Sequence, residues 1–335
     1  MGAAGRAGRG SGRARPRAGA AGRLRVAPAA TAGGIRGGDG AGGARRGGGG
    51  GAWRGGRHRA RPGGLGTGGH RAVGVRLIAL DIDGTLLPYE GTYKGELSPR
   101  VRAAVRALVE DGRTVVLASG RMREGVMSIA RELGLDTPFI AQEGCLIANA
   151  DGTLLREIKL DRDLALAVTA YAREAGYQYE WFSAERYAAT EQSPATDYYA
   201  SLGNIEAEYH PEPETLGIDP SGVGILSDRE ASSEVHDELV EHFGETLHVL
   251  DFPFVTVALA PEATKAKGVA LVAKGLGISR TETLAIGDSV NDASMLAWAG
   301  RGIATAKADR YAREAADESL PDEEDSVARV LEELL

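Results

Sequence analysis

The sequence predicts an α/β fold: a doubly wound parallel sheet that the chain leaves once to build a second, smaller α/β domain. Three observations carry this expectation. Short apolar runs alternate with amphipathic helical patterns over residues 75–141. The same alternation returns after residue 260. Between the two lie roughly 100 residues with a different rhythm, too many for a loop in a compact domain.

The first element, LIAL at residues 77–80, is apolar throughout, as a strand buried on both faces must be, and Asp83-Gly84 marks the turn after it. Residues 99–111 place Val101, Ala104, Val105, Leu108 and Val109 at helical spacing. Ser98 is the expected N-cap, Pro99 opens the first turn and Gly112 lies past the end. A strand at 114–118 (TVVLA), the turn Ser119-Gly120-Arg121, a helix to about residue 133 and a strand at 139–141 complete the unit. Strand–helix–strand–helix–strand at this spacing requires right-handed crossovers and parallel pairing.

A hairpin is expected within residues 145–160, turning at Asn149-Ala150-Asp151-Gly152. A helix at about 161–175 follows, then an aromatic region. Seven of the ten tyrosines fall between Tyr171 and Tyr209, with Trp181 and Phe182 among them. A strand at 223–226, a helix at about 231–243 and a strand near 254–259 end the insertion. Helix (268–274), strand (283–286), helix (292–298) and short strand (301–305) restore the first rhythm, and a last helix spans about 323–335. The boundaries are therefore 1–74, 75–153 and 261–335 for the two halves of one sheet domain, and 154–260 for the insertion.

The net charge of −8 averages two unlike parts. Residues 1–74 hold 15 arginines, no lysine, a single acid (Asp39) and 27 of the 48 glycines, which leaves the remainder at −22. The first part has no apolar periodicity and too little apolar surface to offset ordering, so disorder is expected. Three readings stay open for it. Arg-Gly-Gly at Arg36, Arg46 and Arg54 suits an RNA-binding tail, although Trp53 is its only aromatic. An Arg-rich, acid-poor leader suits an organellar transit peptide, but only one serine, Ser11, is present. G+C-rich codons and the abrupt onset of pattern at Val75 suit a start assigned too far upstream. The acidic remainder is not built for nucleic acid, no run is long enough for a membrane span, and the single Cys145 fits a reducing cytoplasm. That thiol reads as a packed small side chain.

Four stations of polar residues lie where parallel strands end, the edge at which open α/β sheets bind ligands. Asp81 and Asp83 follow the first strand, two residues apart and so able to face one substrate. Ser119 and the Gly120 amide follow the second and suit an anion. Lys267 opens a helix after the insertion, and Asp288, Asn291 and Asp292 follow the strand at 283–286. Singly, each has an ordinary explanation: a turn-forming or helix-capping aspartate, a structural Ser-Gly turn, a solvated lysine. Jointly, acids that can cage a hard cation and a lysine and hydroxyl that can neutralise phosphoryl oxygens argue for phosphoryl transfer.

In these motifs the chain resembles the haloacid dehalogenase superfamily, over essentially all of residues 75–335. Asp81-Ile82-Asp83-Gly84-Thr85, Ser119-Gly120-Arg121, Lys267-Gly268 and Gly287-Asp288 with Asn291-Asp292 occur in the family's order. The separation of 148 residues from Ser119 to Lys267 makes the chain similar to the Cof-like sugar-phosphatase branch, whose cap enters between the second and third motifs. Two positions depart from the pattern: Glu143-Gly144 stands where Asn-Gly is usual, and Ala266 precedes Lys267 where Ser is usual, with Lys265 the alternative lysine. The resemblance implies a Rossmann-like core and a Mg2+-dependent phosphatase acting on a small phosphorylated metabolite through an aspartyl-phosphate. It implies Asp81 as nucleophile and Asp83 as general acid/base. It further implies Ser119, Gly120, Lys267 and Gly84 on the phosphate. The metal would be held by Asp81, the Asp83 carbonyl, Asp288 and Asp292, with Asn291 in support. An acid at Asp83 favours a phosphatase or a phosphosugar mutase over a dehalogenase; a non-catalytic phosphometabolite-binding protein is the remaining alternative.

Overall fold

β1 (Leu77–Leu80) is buried at all four residues because apolar surface covers it from both sides. A computed structural model describes residues 74–335; the expectations for residues 1–73 lie outside them. After β1 come α1 (Pro99–Glu110), β2 (Thr114–Leu117), α2 (Arg123–Leu133), β3 (Phe139–Ala141) and a hairpin of β4 (Leu146–Ala148) with β5 (Leu154–Glu157). The insertion contains α3 (Arg162–Ala175), β6 (Gln178–Phe182), β7 (Tyr187–Ala189), α4 (Pro194–Gly203), β8 (Ala207–Tyr209), β9 (Gly222–Leu226), α5 (Arg229–Phe243), β10 (His248–Phe252) and β11 (Val255–Leu259). The chain returns through α6 (Lys265–Gly275), β12 (Thr283–Gly287), α7 (Ala293–Trp298), β13 (Arg301–Ala304), α8 (Arg310–Ala315), β14 (Glu318–Ser319) and α9 (Ser326–Glu332).

The central sheet runs β14-β13-β12-β1-β2, all parallel. β3 extends it through a parallel bridge between Ala118 and Ile140, and also pairs antiparallel with β4. β1 therefore sits where the winding reverses: the chain first builds outward through β2 and β3, then returns to lay β12, β13 and β14 on the other side. Alternate residues of β1 serve two cores. Ile78 and Leu80 pack with Val105 and Leu108 of α1 and Leu331 of α9, whereas Leu77 and Ala79 pack with Val269 and Val272 of α6 and Met295 of α7. Cys145 is buried in the first of these, its thiol pushed up by burial, as a packed side chain should be.

The insertion forms a six-stranded sheet, β10-β11-β9-β6-β7-β8. On one face Trp181, Val223 and Ile225 pack with Val168 and Ala172 of α3 and Val235 and Leu239 of α5. On the other, Phe182, Tyr187, Ala189, Val257 and Leu259 join the apolar cluster of the central sheet. The aromatic stretch thus supplies both the insertion's own core and its face toward the sheet domain. No helix among the described residues is long and apolar enough to cross a membrane.

Several elements differ from expectation. The aromatic region, given no regular structure beforehand, holds β6, β7, α4 and β8, because its strands are too short to show a period. α8 and β14 were likewise unmarked. The last helix is α9 alone, shorter at both ends, since Asp325 adopts a left-handed conformation just before it. Ser98 does cap α1, accepting from the Val101 amide (3.1 Å), and its hydroxyl also donates to Asp325 (2.7 Å). Replacing it with alanine (Ser98→Ala) is expected to cost about 1–2 kcal/mol, read as a lower urea midpoint at unchanged slope. A shift below a few tenths would show that solvent satisfies the first turn equally well.

Candidate active site

At the carboxyl ends of β1 and β12 the backbone brings Asp81, Asp288 and Asp292 together, with one carboxylate oxygen of each within 4.8 Å of the others. All three are buried. β12 carries Asp288 and Asp292 into place through a turn in which one Asp292 oxygen accepts from the amides of Asp288 (2.9 Å) and Ser289 (3.0 Å). Asp288 is steadied by the Thr85 hydroxyl (3.2 Å).

The lysine that joins these acids is Lys265, not Lys267. Lys265 Nζ donates to Asp81 and to Asp292, 2.7 Å in each case, and its side chain is fully buried. Lys267 is exposed and donates to the Pro261 carbonyl (3.0 Å). The reason is where α6 begins. Thr264 caps it, its hydroxyl accepting from the Lys267 amide, so Lys265 is the first helical residue. Two residues later the helix has turned by about 200°, and Lys267 points away.

The charges explain one another. Burial, then Asp292, pushes Asp81 up to about 7, against the pull of Lys265. Burial and then Asp81 raise Asp288 as well. Burial alone would discharge Lys265, but Asp292 and Asp81 more than offset it and hold its pKa above the ordinary lysine value. Three carboxylates against one ammonium leave excess negative charge in a dry place. This acidic group can hold a cation by oxygen ligands.

Asp83 stands apart, less buried, with both oxygens gripped by Arg121 (2.6 and 2.7 Å). Ile82 between the two acids is buried in the core. Ser119 is buried, its hydroxyl accepting from the Arg121 amide (3.2 Å). Gly120 lies against the Glu143 carboxylate, where a side chain would have no room. Gly84 is corrected as a phosphate donor: its amide is spent on the Leu87 carbonyl (2.8 Å). Its part is to make space. With φ at +84°, it lets Asp288 approach where a Cβ would collide, and the ring of Tyr89 leans over the same spot.

Glu143, marked in the sequence only as a departure from the family, is a buried member of the site. Its carboxylate accepts from Asn291 Nδ2 (2.7 Å), and burial raises its pKa. Both it and Gln142 hold positive φ (59° and 47°), a strain of about 1–3 kcal/mol each that the surroundings must hold in place. Asn291 is thus oriented toward Glu143, and its Oδ1 is buried with no hydrogen-bond partner among the described residues. Arg121 and Thr85 were quoted in the motifs but given no role; both follow a motif residue directly or by two positions. Tyr89 had no local signal.

Removing the ammonium tests this arrangement. Lys265→Met leaves buried carboxylates uncompensated and is expected to cost about 3–5 kcal/mol, whereas Lys267→Ala should stay within about 0.5 kcal/mol of the parent. Denaturant unfolding of the pair decides it, and equal losses would return the role to Lys267.

Residues 78–331 match the model of the haloacid dehalogenase-like hydrolase family. The phosphatase YwpJ of Bacillus subtilis is 28% identical over 290 residues, covering 78% of this chain and all of that protein. A phosphoglycolate phosphatase of Halorubrum lacusprofundi is 31% identical over 258 residues, covering 77% of this chain and 96% of its own length. A solved haloacid dehalogenase-like hydrolase from B. subtilis superposes with a TM-score of 0.68 at 26% identity, over 78% of this chain and all of the other. With strand-end acids, a buried lysine and an inserted α/β region all in the family's order, the chain belongs to the haloacid dehalogenase-like hydrolases, among their Cof-like phosphatases.

Proposed function

We propose that the protein is a Mg2+-dependent phosphatase that hydrolyses a small phosphorylated metabolite, a sugar phosphate or a compound like it, through an aspartyl-phosphate on Asp81. The observation that carries this reading is the Lys265 ammonium lodged between Asp81 and Asp292, with Asp288 beside them. It keeps one Asp81 oxygen engaged while the excess carboxylate charge calls for a cation. An all-oxygen donor set with excess negative charge fits Mg2+. The residues to hold it are Asp81, Asp288 and the Asp83 carbonyl. Asp292 lies just behind, since the Asp288 and Ser289 amides and Lys265 already use both its oxygens. Bound there, Mg2+ supplies positive charge to the phosphoryl oxygens and keeps Asp81 ionised.

The chain's own residues do the rest. An Asp81 oxygen attacks phosphorus as the bond to the leaving oxygen breaks, and Asp83 gives that oxygen a proton. Water then attacks the aspartyl-phosphate, Asp83 takes the water's proton, and inorganic phosphate leaves with the Asp81 carboxylate restored. Arg121 orients Asp83 by both oxygens; an arriving phosphate dianion competes for the same guanidinium and frees Asp83 to carry a proton. Ser119, the Gly120 amide and Lys265 face the transferring oxygens. Residues 75–157 and 261–335 furnish this machinery, and residues 158–260 act as the cap over it; the boundary expected at 153 moves because β5 (Leu154–Glu157) pairs with β4 beside the central sheet.

Asp81→Asn should lower turnover at least about 10³-fold on any active phosphoester, and Asp83→Asn should do so most for poor leaving groups. A panel of sugar phosphates, with phosphoglycolate included, run on residues 75–335 with Mg2+, is the direct measurement. Silence across it, or full turnover by Asp81→Asn, would overturn the reading, and isomerised product with little free phosphate would point to a mutase instead.

Metal removal gives a separate test. With Asp81 raised to about 7, this carboxyl binds more proton in the folded metal-free protein than in the unfolded chain between about pH 4 and 7. This group therefore stabilises on acidification through that window and destabilises as pH rises. Mg2+ should raise the melting temperature of EDTA-stripped protein more at about pH 7.5 than at about pH 5.5. Equal increments would mean that these carboxylates do not hold the ion.

A further inference from the structure

We propose that Tyr199 is a positioning residue that makes the phosphate-binding turn depend on how the inserted region is docked; this rests on the phosphatase reading of the site. Tyr199 lies on α4, outside the catalytic cluster. Its hydroxyl donates to the carbonyl of Gly120 (3.2 Å), within Ser119-Gly120-Arg121. That one turn presents the Ser119 hydroxyl and the Gly120 amide and carries the Arg121 guanidinium that grips Asp83. The Gly120 carbonyl shares its peptide with the Arg121 amide, which donates to the Ser119 hydroxyl (3.2 Å), so a group that fixes this carbonyl acts on Ser119 and on the root of Arg121 within one turn.

Tyr199 is itself fixed from the insertion. Its ring packs on Tyr187 with centroids 5.0 Å apart, and the Tyr187 hydroxyl donates to the buried carboxylate of Glu180 (2.6 Å). Glu180 fits because Gly224, opposite it on β9, has no side chain. Burial and the nearby acids Glu180 and Glu143 hold the Tyr199 hydroxyl well above its ordinary pKa, so it remains a donor. α4 meets the sheet domain closely: Gly125 of α2 lies against the Leu202 backbone, and Gly203 against Met122. The Gln142 amide also donates to the Ser183 carbonyl (2.5 Å) beside this contact. Gly120 is thus held from both sides, by Glu143 at its α-carbon and by Tyr199 at its carbonyl.

Tyr199→Phe deletes only the hydroxyl. The expected result is a rise of about three- to tenfold in KM and in the inhibition constant of inorganic phosphate, with kcat within about twofold and the melting temperature lowered by no more than about 2–4 °C. Tyr209→Phe, whose hydroxyl bonds Asp197 on the insertion's surface, should match the parent in all of these. Gly125→Val, which forces α4 off α2, should produce the same signature, and adding Tyr199→Phe to it should cost nothing further. Phosphate constants within twofold of the parent for Tyr199→Phe, or additive losses in the double variant, would overturn the proposal. Inorganic phosphate binding by calorimetry to Asp81→Asn, with and without Tyr199→Phe, reads the same coupling without turnover. Failure there is therefore distinct from failure of the phosphatase reading.

Discussion

The ammonium of Lys265, held between Asp81 and Asp292, is the interaction on which the site depends. Carboxylates in a dry setting repel and are costly to desolvate, and a buried ammonium is equally costly alone. Placed together, the acids keep the ammonium charged, and the ammonium limits how far burial raises the acids. Lys265 also begins α6, where the helix dipole disfavours a cation; the two acids in front of it outweigh that effect. The remaining negative charge leaves the acidic group able to hold a cation. Complete neutrality would leave no place for a divalent cation, and without Lys265 the acids would separate or take up protons.

Sheet topology delivers these groups. The winding reverses at β1, so the end of β1 is flanked by β12 on one side and β2 on the other. Asp81 leaves β1, Asp288 and Asp292 leave β12, and Ser119 leaves β2 at one edge. Approach is then limited by side-chain bulk. Gly84, Gly120 and Gly287 remove it where Asp288, Glu143 and Asp292 must come close.

Most of this was legible because it rests on local patterns. β1, α1 with its Ser98 cap, β2, α2 and β12 follow from apolar periodicity and capping residues, and the strand-end acids follow from the strands. Lys265 was misread for Lys267 because the choice depends on one residue of helix phase. Thr264, a good N-cap residue just before Lys265, was the signal available. Glu143 was visible only as an unusual residue: its burial and strained backbone depend on Asn291 and Gly120, which lie far from it in sequence. The short strands β6, β7 and β8 were hidden because three to five residues hold too few positions to define a period.

The placing of the insertion has a mechanical consequence. It departs after the β4–β5 hairpin and returns at Thr264, immediately before the lysine on which the charge balance rests. The turn that holds Glu143 presses Gly144 against the backbone of that same Thr264. The inserted sheet is therefore tied to the site at two places: by the covalent return to α6 and Lys265, and by the Tyr199–Gly120 contact of α4. Both end on groups that face the transferring phosphoryl oxygens in the proposed reaction, while Asp81 and Asp288 follow directly from strands of the central sheet. A fold built this way can vary its insertion to change what is admitted without moving the attacking carboxylate.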